Sequence, residues 1–122
     1  MPLPIPHPLN EVVVYAFSPS VGGTPIPARA VAPVRGRVIK TGSVLYGAIT
    51  TADAAIAVAI NGTAVTNGGF TITQSGSAAG DVDEGYPTAA NNINEGEQIS
   101  FTPSGASGTT IGANFYAIIR KT

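Results

Sequence analysis

The side chains that could do acid, base or nucleophilic chemistry are few and scattered in this sequence. The single histidine, His7, lies between two prolines in the first ten residues, and the chain has no cysteine. A histidine-dependent triad needs a nucleophile and a carboxylate held around the imidazole, and the proline-rich segment around His7 offers neither unless a partner chain completes the triad. The residues therefore name no reaction. We expect a protein that is not an enzyme and that uses no cofactor.

The one cluster of carboxylates is formed by Asp81, Asp83 and Glu84. An Asp-x-Asp pair in a glycine-rich loop can hold Ca²⁺ through its oxygens, although the full EF-hand pattern is absent. A solvated loop tip is the simpler interpretation. The same carboxylates could also form salt bridges to arginines of a neighbouring subunit, so the sequence leaves their role open.

Basic residues concentrate in one region, because four of the six Lys and Arg residues lie between positions 29 and 40. Six basic residues and a net charge of −1 cannot supply the positive surface that nucleic-acid binding needs. We therefore expect no nucleic-acid partner. Pairing between subunits, or with the surface of another protein, is the better hypothesis, and it places three arginines at an interface: Arg29, Arg35 and Arg37.

The composition indicates that other protein covers part of this chain. Only 11% of the residues are charged, against about a quarter in an average soluble domain. Yet 43% are hydrophobic and the mean hydropathy is +0.24. No apolar stretch approaches the roughly 20 residues that a transmembrane helix needs, so we expect no membrane partner. A domain of 122 residues has too little interior to bury this much apolar surface alone.

The elements that position these residues are predicted to be strands. Turn signals recur about every 8 to 12 residues, as in antiparallel sandwiches and jelly rolls. We predict one all-β domain over residues 11–122, an antiparallel, jelly-roll-like β-sandwich. Residues 74–90 read as a polar, glycine-rich excursion. Strands are expected over 11–17, 28–40 (broken near Pro33 or Gly36), 44–49, 55–60, 70–73, 98–101 and 111–120.

The strongest local signal is the alternation of small and large apolar residues over positions 55–60, followed by Asn61-Gly62. Asn-Gly after such a run predicts a hairpin with a type I′ turn, which explains Asn61-Gly62-Thr63 better than a glycosylation sequon does. Since side chains alternate across a strand, the large residues should enter the core. The small residues Ala55, Ala57 and Ala59 would form a flat, uncharged surface that suits close approach of another protein. Ile118 of the last strand is a further candidate interface residue.

Residues 1–10 form a separate segment in which proline occupies positions 2, 4, 6 and 8. Each proline disfavours helix in the residue before it, so the segment is predicted to be extended and close to polyproline II. It is either a frayed terminus or an arm that lies in a groove on a neighbour, which a pre-extended chain does at a low entropic cost. In the second interpretation Leu3, Ile5 and Leu9 make the contact.

Four stretches of the chain together resemble a known family. They are residues 51–65, 72–83, 87–91 and 95–101. They resemble a small β-domain of tailed-phage and prophage virion proteins, particularly head decoration (cement) and head-fibre proteins. The resemblance covers about residues 28–122, rests on turns and strands, and does not include the arm. It implies a jelly-roll-like sandwich that trimerises on the capsid lattice and that has no catalytic residues.

The resulting functional expectation is a capsid decoration protein. It would be made in the host cytoplasm and bind the major capsid protein as a homotrimer at capsomer junctions, on the outer surface of the virion. The alternative is a host-receptor or glycan-binding domain of a head or tail fibre. That alternative predicts an exposed aromatic cluster drawn from four tyrosines: Tyr15, Tyr46, Tyr86 and Tyr116.

Overall fold

A computed structural model describes residues 10–105 and 108–122, which form ten β-strands. The strands are β1 (Glu11–Ser18), β2 (Ala28–Val31), β3 (Gly36–Leu45), β4 (Ala54–Ile60), β5 (Thr63–Ala64), β6 (Phe70–Ile72), β7 (Val82–Gly85), β8 (Asn92–Ile93), β9 (Gln98–Ser104) and β10 (Ala113–Lys121). Within these described ranges, no helix is long and apolar enough to cross a membrane.

The strands form two five-stranded antiparallel sheets. Sheet A has the order β1-β10-β3-β7, with β8 also paired to β3. Sheet B has the order β2-β9-β4-β5, with β6 also paired to β4. The first strand pairs with the last one, and the chain crosses repeatedly between sheets, as in jelly rolls. The prediction of an all-β, antiparallel, jelly-roll-like sandwich is confirmed.

The core lies between the sheets because each strand turns alternate apolar side chains inward. On β4, Ile56 and Val58 are buried while Ala57 is exposed, as the alternation predicts. Phe101 of sheet B and Phe115 of sheet A are both fully buried, and their rings stack 5.1 Å apart across the core. This aromatic pair ties the middle of the two sheets together.

The predicted hairpin after β4 is also confirmed. Asn61 and Gly62 have φ angles of +49° and +84°, the left-handed values that a type I′ turn needs at both central positions. The turn pairs Ile60 with Thr63 at the start of β5.

Two of the predicted element assignments are wrong. Residues 44–49 are not a separate strand, because Val44 and Leu45 are the last two residues of β3, which runs from Gly36 to Leu45. The polar excursion of residues 74–90 contains a strand, β7, which pairs with β3 through Thr41 to Val44. Local propensity is weak in the sequence of β7, and the tertiary pairing with β3 overrides it. The predicted break within residues 28–40 is confirmed, since β2 ends at Val31 and β3 begins at Gly36.

Buried polar groups are few, and most have a hydrogen-bond partner. Thr41 Oγ1 donates to the carbonyl oxygen of Gly68 at 2.6 Å, and Asn91 Nδ2 donates to that of Val38 at 2.7 Å. These bonds fix loops against the strands of sheet A. Among the described residues, the buried Ser43 hydroxyl has no hydrogen-bond partner.

Candidate functional site

The outer surface of sheet A is rich in aromatic and aliphatic side chains, and we call it the aromatic face. The strand register places Tyr15 of β1 opposite Tyr116 of β10, which lies opposite Gly42 of β3. The row above contains Phe17, and Val82 of β7 lies on the same face at its far side. Of the eight exposed large hydrophobic side chains among the described residues, six lie on this face: Val13, Tyr15, Phe17, Tyr46, Val82 and Tyr86.

The exposure of these side chains is large for residues of their size. Tyr15 is 64% exposed, Phe17 is 52% exposed and Tyr46 is 59% exposed. The Phe17 and Tyr46 rings meet with their centroids 5.4 Å apart and their planes tilted by 56°, a favourable aromatic geometry. An exposed, contiguous patch of this kind marks an interaction surface more often than a free one.

Glu84 forms the polar centre of the aromatic face. Its carboxylate accepts hydrogen bonds from Tyr86 Oη at 2.9 Å and from Tyr116 Oη at 2.7 Å, and it pairs with Lys40 Nζ at 2.8 Å. The Lys40 bond and then the two tyrosine hydroxyls lower the pKa of Glu84 to about 2. The carboxylate is therefore ionised at neutral pH and holds three side chains in place.

The Glu84 carboxylate also shifts the pKa values of the two tyrosines and the lysine. Burial, followed by the bond to Glu84, raises the pKa of Tyr116 well above its ordinary value. The hydrogen bond to Glu84 raises the pKa of Lys40 and that of Tyr86. Lys40 Nζ also lies 5.9 Å from the centre of the Tyr86 ring, within the range of a cation–π contact.

A β-bulge puts Lys40 on this face. Ile118 of β10 lies opposite Lys40, whereas Ile119 lies opposite Val38, so Ile39 is an extra residue in β3. A bulge of this kind reverses the alternation after it. Val38 is buried in the core, and an uninterrupted strand would have turned Lys40 inward with it. Sequence reasoning missed the Lys40–Glu84 pair because no turn residue or proline signals the bulge.

The Tyr116 ring packs directly against Gly42. A Cβ atom at Gly42 would overlap the ring carbons and the hydroxyl of Tyr116. The absence of a side chain at Gly42 therefore lets the ring lie flat on β3 and reach Glu84 on β7. The charges at one end of the face are also paired, since Arg120 Nη2 lies 2.7 Å from Glu11 Oε2.

The residues predicted as interface candidates lie on different surfaces of the sandwich. Ile118 and Arg37 lie on the outer side of sheet A, in register with the aromatic face. The three alanines of β4 lie on the opposite outer surface, that of sheet B, where Arg29 of β2 is their neighbour across β9. Arg35 is exposed just before β3. Leu3, Ile5 and Leu9 lie outside the described residues.

The predicted acidic cluster is divided between two faces. Asp83 lies opposite the buried Ser43, whereas Glu84 lies opposite Gly42 on the outer side. Burial raises the pKa of Asp83, and Asp81 accepts a hydrogen bond from the backbone N–H of Ala78 at 2.9 Å. The described residues contain no group of three His, Cys, Asp or Glu side chains that could hold a metal ion.

The described residues also line a cleft of about 350 Å³ at one end of the sandwich. Glu97 is its acidic residue, and its two carboxylate oxygens accept hydrogen bonds from Asn61 Nδ2 at 2.9 Å and from the N–H of Asn94 at 2.7 Å. The lining mixes polar and apolar side chains, and its Asn61, Asn94 and Glu97 groups are hydrogen-bonded to one another. It includes Ile60, Asn61, Thr63, Ala90, Asn92, Asn94 and Glu97.

Comparisons with known proteins show the fold. No family model matches the chain, and no curated protein matches it. The catalytic unit of an α-1,3-glucanase from Streptomyces thermodiastaticus is 10% identical with a TM-score of 0.53, and the match covers 92% of this chain but 26% of that one. This chain therefore spans about a quarter of the glucanase unit.

Two further neighbours are similar in length to this chain. A family 35 carbohydrate-binding module from Clostridium thermocellum is 16% identical with a TM-score of 0.49, over 88% of this chain and 90% of the module. The cyanophage Pam1 capsid asymmetric unit contains a chain that is 12% identical with a TM-score of 0.45, over 100% of this chain and 94% of that one. At such low identity these likenesses concern the β-sandwich fold alone.

Proposed function

We propose that this chain is a non-catalytic virion protein that decorates and stabilises a phage capsid. It binds the major capsid protein on the outer surface of the shell, as a homotrimer at capsomer junctions, and docks through the aromatic face. The observation that carries the proposal is the concentration of six exposed large hydrophobic side chains on that one face. The resemblance of residues 28–122 to cement-type domains supports the choice of partner.

The charges of the aromatic face suit such a docking. Lys40 is paired with Glu84, and Glu11 is paired with Arg120, so a covering surface would bury these four charges as two pairs. Burying the exposed rings contributes roughly 25 cal/mol per Å² before ordering costs. Three such faces on one trimer would add avidity, and preferential binding to the intact shell stabilises it by linkage.

A matched pair of variants tests this surface. Phe17→Glu puts a charge among the exposed rings of the aromatic face, on its edge strand β1, whereas Thr102→Glu puts one on the exposed side of β9 in sheet B. Both are checked for folding by thermal melting and then titrated onto undecorated capsids. We expect at least about a tenfold loss of affinity for Phe17→Glu, as for an aromatic hot spot, and little change for Thr102→Glu. Equal binding by both variants would contradict docking through this face.

A glycan-binding fibre domain is the second candidate, and one observation favours it. All four tyrosines predicted for an exposed cluster contribute to the aromatic face: Tyr15, Tyr46, Tyr86 and Tyr116. Such rings can stack on sugars. Because the chain has no tryptophan, tyrosine fluorescence reports directly on this face during titration with oligosaccharides. Saturable quenching by a sugar, together with no capsid binding, would favour this candidate over the first.

A further inference from the structure

The free edge of β1 is the longest uncharged strand edge in sheet A or sheet B. β1 ends the order of sheet A and pairs only with β10 among the described residues. From Val12 to Ser18 it contains no charge and no proline, and its eight-residue ladder with β10 has no register shift. By contrast, β2 is four residues long and exposes Arg29, and β7 carries Asp83 and Glu84.

A free strand edge of this kind pairs readily with other chains unless it is protected. Proteins protect exposed edges with charges, prolines, bulges or short strands, and β1 has none of these devices over residues 12–17. The stretch Val-Val-Val-Tyr-Ala-Phe combines high β-propensity with no charge, which is the composition that promotes pairing between chains. β1 is therefore built to accept another strand.

The chain itself supplies a strand that suits this edge. Prolines at positions 2, 4, 6 and 8 remove the backbone donors of the even positions only. In an extended chain, successive residues direct their N–H and C=O groups to opposite sides. One side of residues 3–9 therefore keeps its donors, at Leu3, Ile5, His7 and Leu9, and the other side has none. Proline is tolerated in this way on edge strands.

The arm of one copy cannot readily fold back on its own β1. A two-residue hairpin at positions 9 and 10 would need a positive φ at Leu9, where such turns favour Gly or Asn. It would also need the N–H of position 8, which is proline. A longer turn would consume the pairing residues, because β1 begins at Glu11. Residues 3–9 are seven positions long and β1 is eight positions long. The two segments can pair over this whole length only when they belong to different copies, because no residues are then used up in a turn.

We propose that residues 1–9 of one copy add as a β-strand to the free edge of β1 in a second copy. The side of the arm that keeps its N–H donors pairs with β1. The opposite side, which carries the prolines, has no donors, so no further strand adds to the sheet. Passing the arm from each copy to the next is a heterologous contact, which forms a ring when the rotation between copies closes and an open filament when it does not. The proposal concerns contacts between copies and needs no capsid, so its cross-linking test can fail while docking of the aromatic face on the capsid still holds.

Cross-linking tests the contact in the purified full-length protein. The chain has no cysteine, so single cysteines report without background. Ile5→Cys protein is mixed with Tyr15→Cys protein, or with Thr102→Cys protein as the control, and treated with a short bis-maleimide. We expect a mixed dimer with the β1 variant in clear excess over the control on sheet B. Equal yields with both partners would overturn the proposal.

Moving the prolines tests the one-sided strand. The double variant Leu3→Pro/Ile5→Pro removes donors from the pairing side, and sedimentation should show loss of the oligomer, as for deletion of residues 1–9. The variant Pro4→Ala/Pro6→Ala restores donors on the blocked side, and it should keep the oligomer and scatter more light through further addition. A wild-type protein that sediments as a monomer, or an oligomer that survives Leu3→Pro/Ile5→Pro, would refute the proposal.

Discussion

Glu84 organises the aromatic face at the scale of single residues. One carboxylate holds Lys40, Tyr86 and Tyr116 through contacts of 2.7 to 2.9 Å. From the sequence, an exposed cluster of the tyrosines was expected only if the chain were a glycan- or receptor-binding domain. The sequence left Glu84 between a solvated loop tip, a cation site and a salt bridge to another subunit, because nothing in the local pattern shows which strand will lie beside β7.

The low pKa of Glu84 predicts an acid-sensitive fold. The pKa of this carboxyl falls from 4.5 to about 2 on folding, so the native state is stabilised above pH 4.5, and this contribution is lost as pH falls toward 2. Glu84→Gln should flatten that part of the curve of unfolding free energy against pH. Glu95→Gln, in the exposed turn before β9, is the control. Superimposable curves for the wild type and Glu84→Gln between pH 2 and 4.5 would contradict the network.

At the scale of elements, the sequence predicted the strands that carry clear alternation. β4, β9 and β10 bury one side and expose the other, and Asn61-Gly62 marks its turn. The prediction from sequence was wrong for β3 and β7, two strands that pair with each other. The bulge at Ile39 and the pairing of Val82–Gly85 arise from contacts between distant segments, and a local pattern does not contain that information.

Gly42 links β3 to the face, and its substitution should disturb Tyr116. Gly42→Ala would displace the Tyr116 ring, since a Cβ there overlaps it, and the hydrogen bond to Glu84 would be lost. The pKa of Tyr116, raised by burial and by Glu84, should then fall toward its ordinary value. Ultraviolet titration of the tyrosines measures this change.

Gly62→Ala is the matched control for that titration. A Cβ at Gly62 meets nothing within 4 Å, but its φ is +84°, so the substitution should cost about 1 kcal/mol of stability through the backbone alone. The tyrosine titration should stay as in the wild type. An unchanged pKa of Tyr116 in Gly42→Ala would show that the ring does not depend on this glycine.

At the scale of the whole molecule, the two outer surfaces differ in kind. Sheet A exposes large aromatic side chains around paired charges, while the centre of sheet B exposes alanine and threonine on β4 and β9. The sequence predicted that another protein buries part of this charge-poor chain, but it placed part of the buried interface on the alanine side of β4. Side-chain size decides which surface gains more from burial, and it favours sheet A.

The stability of decorated capsids tests the central claim most directly. Undecorated capsids are saturated with the purified protein, occupancy is measured by quantifying bound copies, and the temperature of capsid disruption is recorded with and without the protein. Binding to the intact shell should raise that temperature as occupancy increases. An unchanged disruption temperature at full occupancy would contradict a stabilising role.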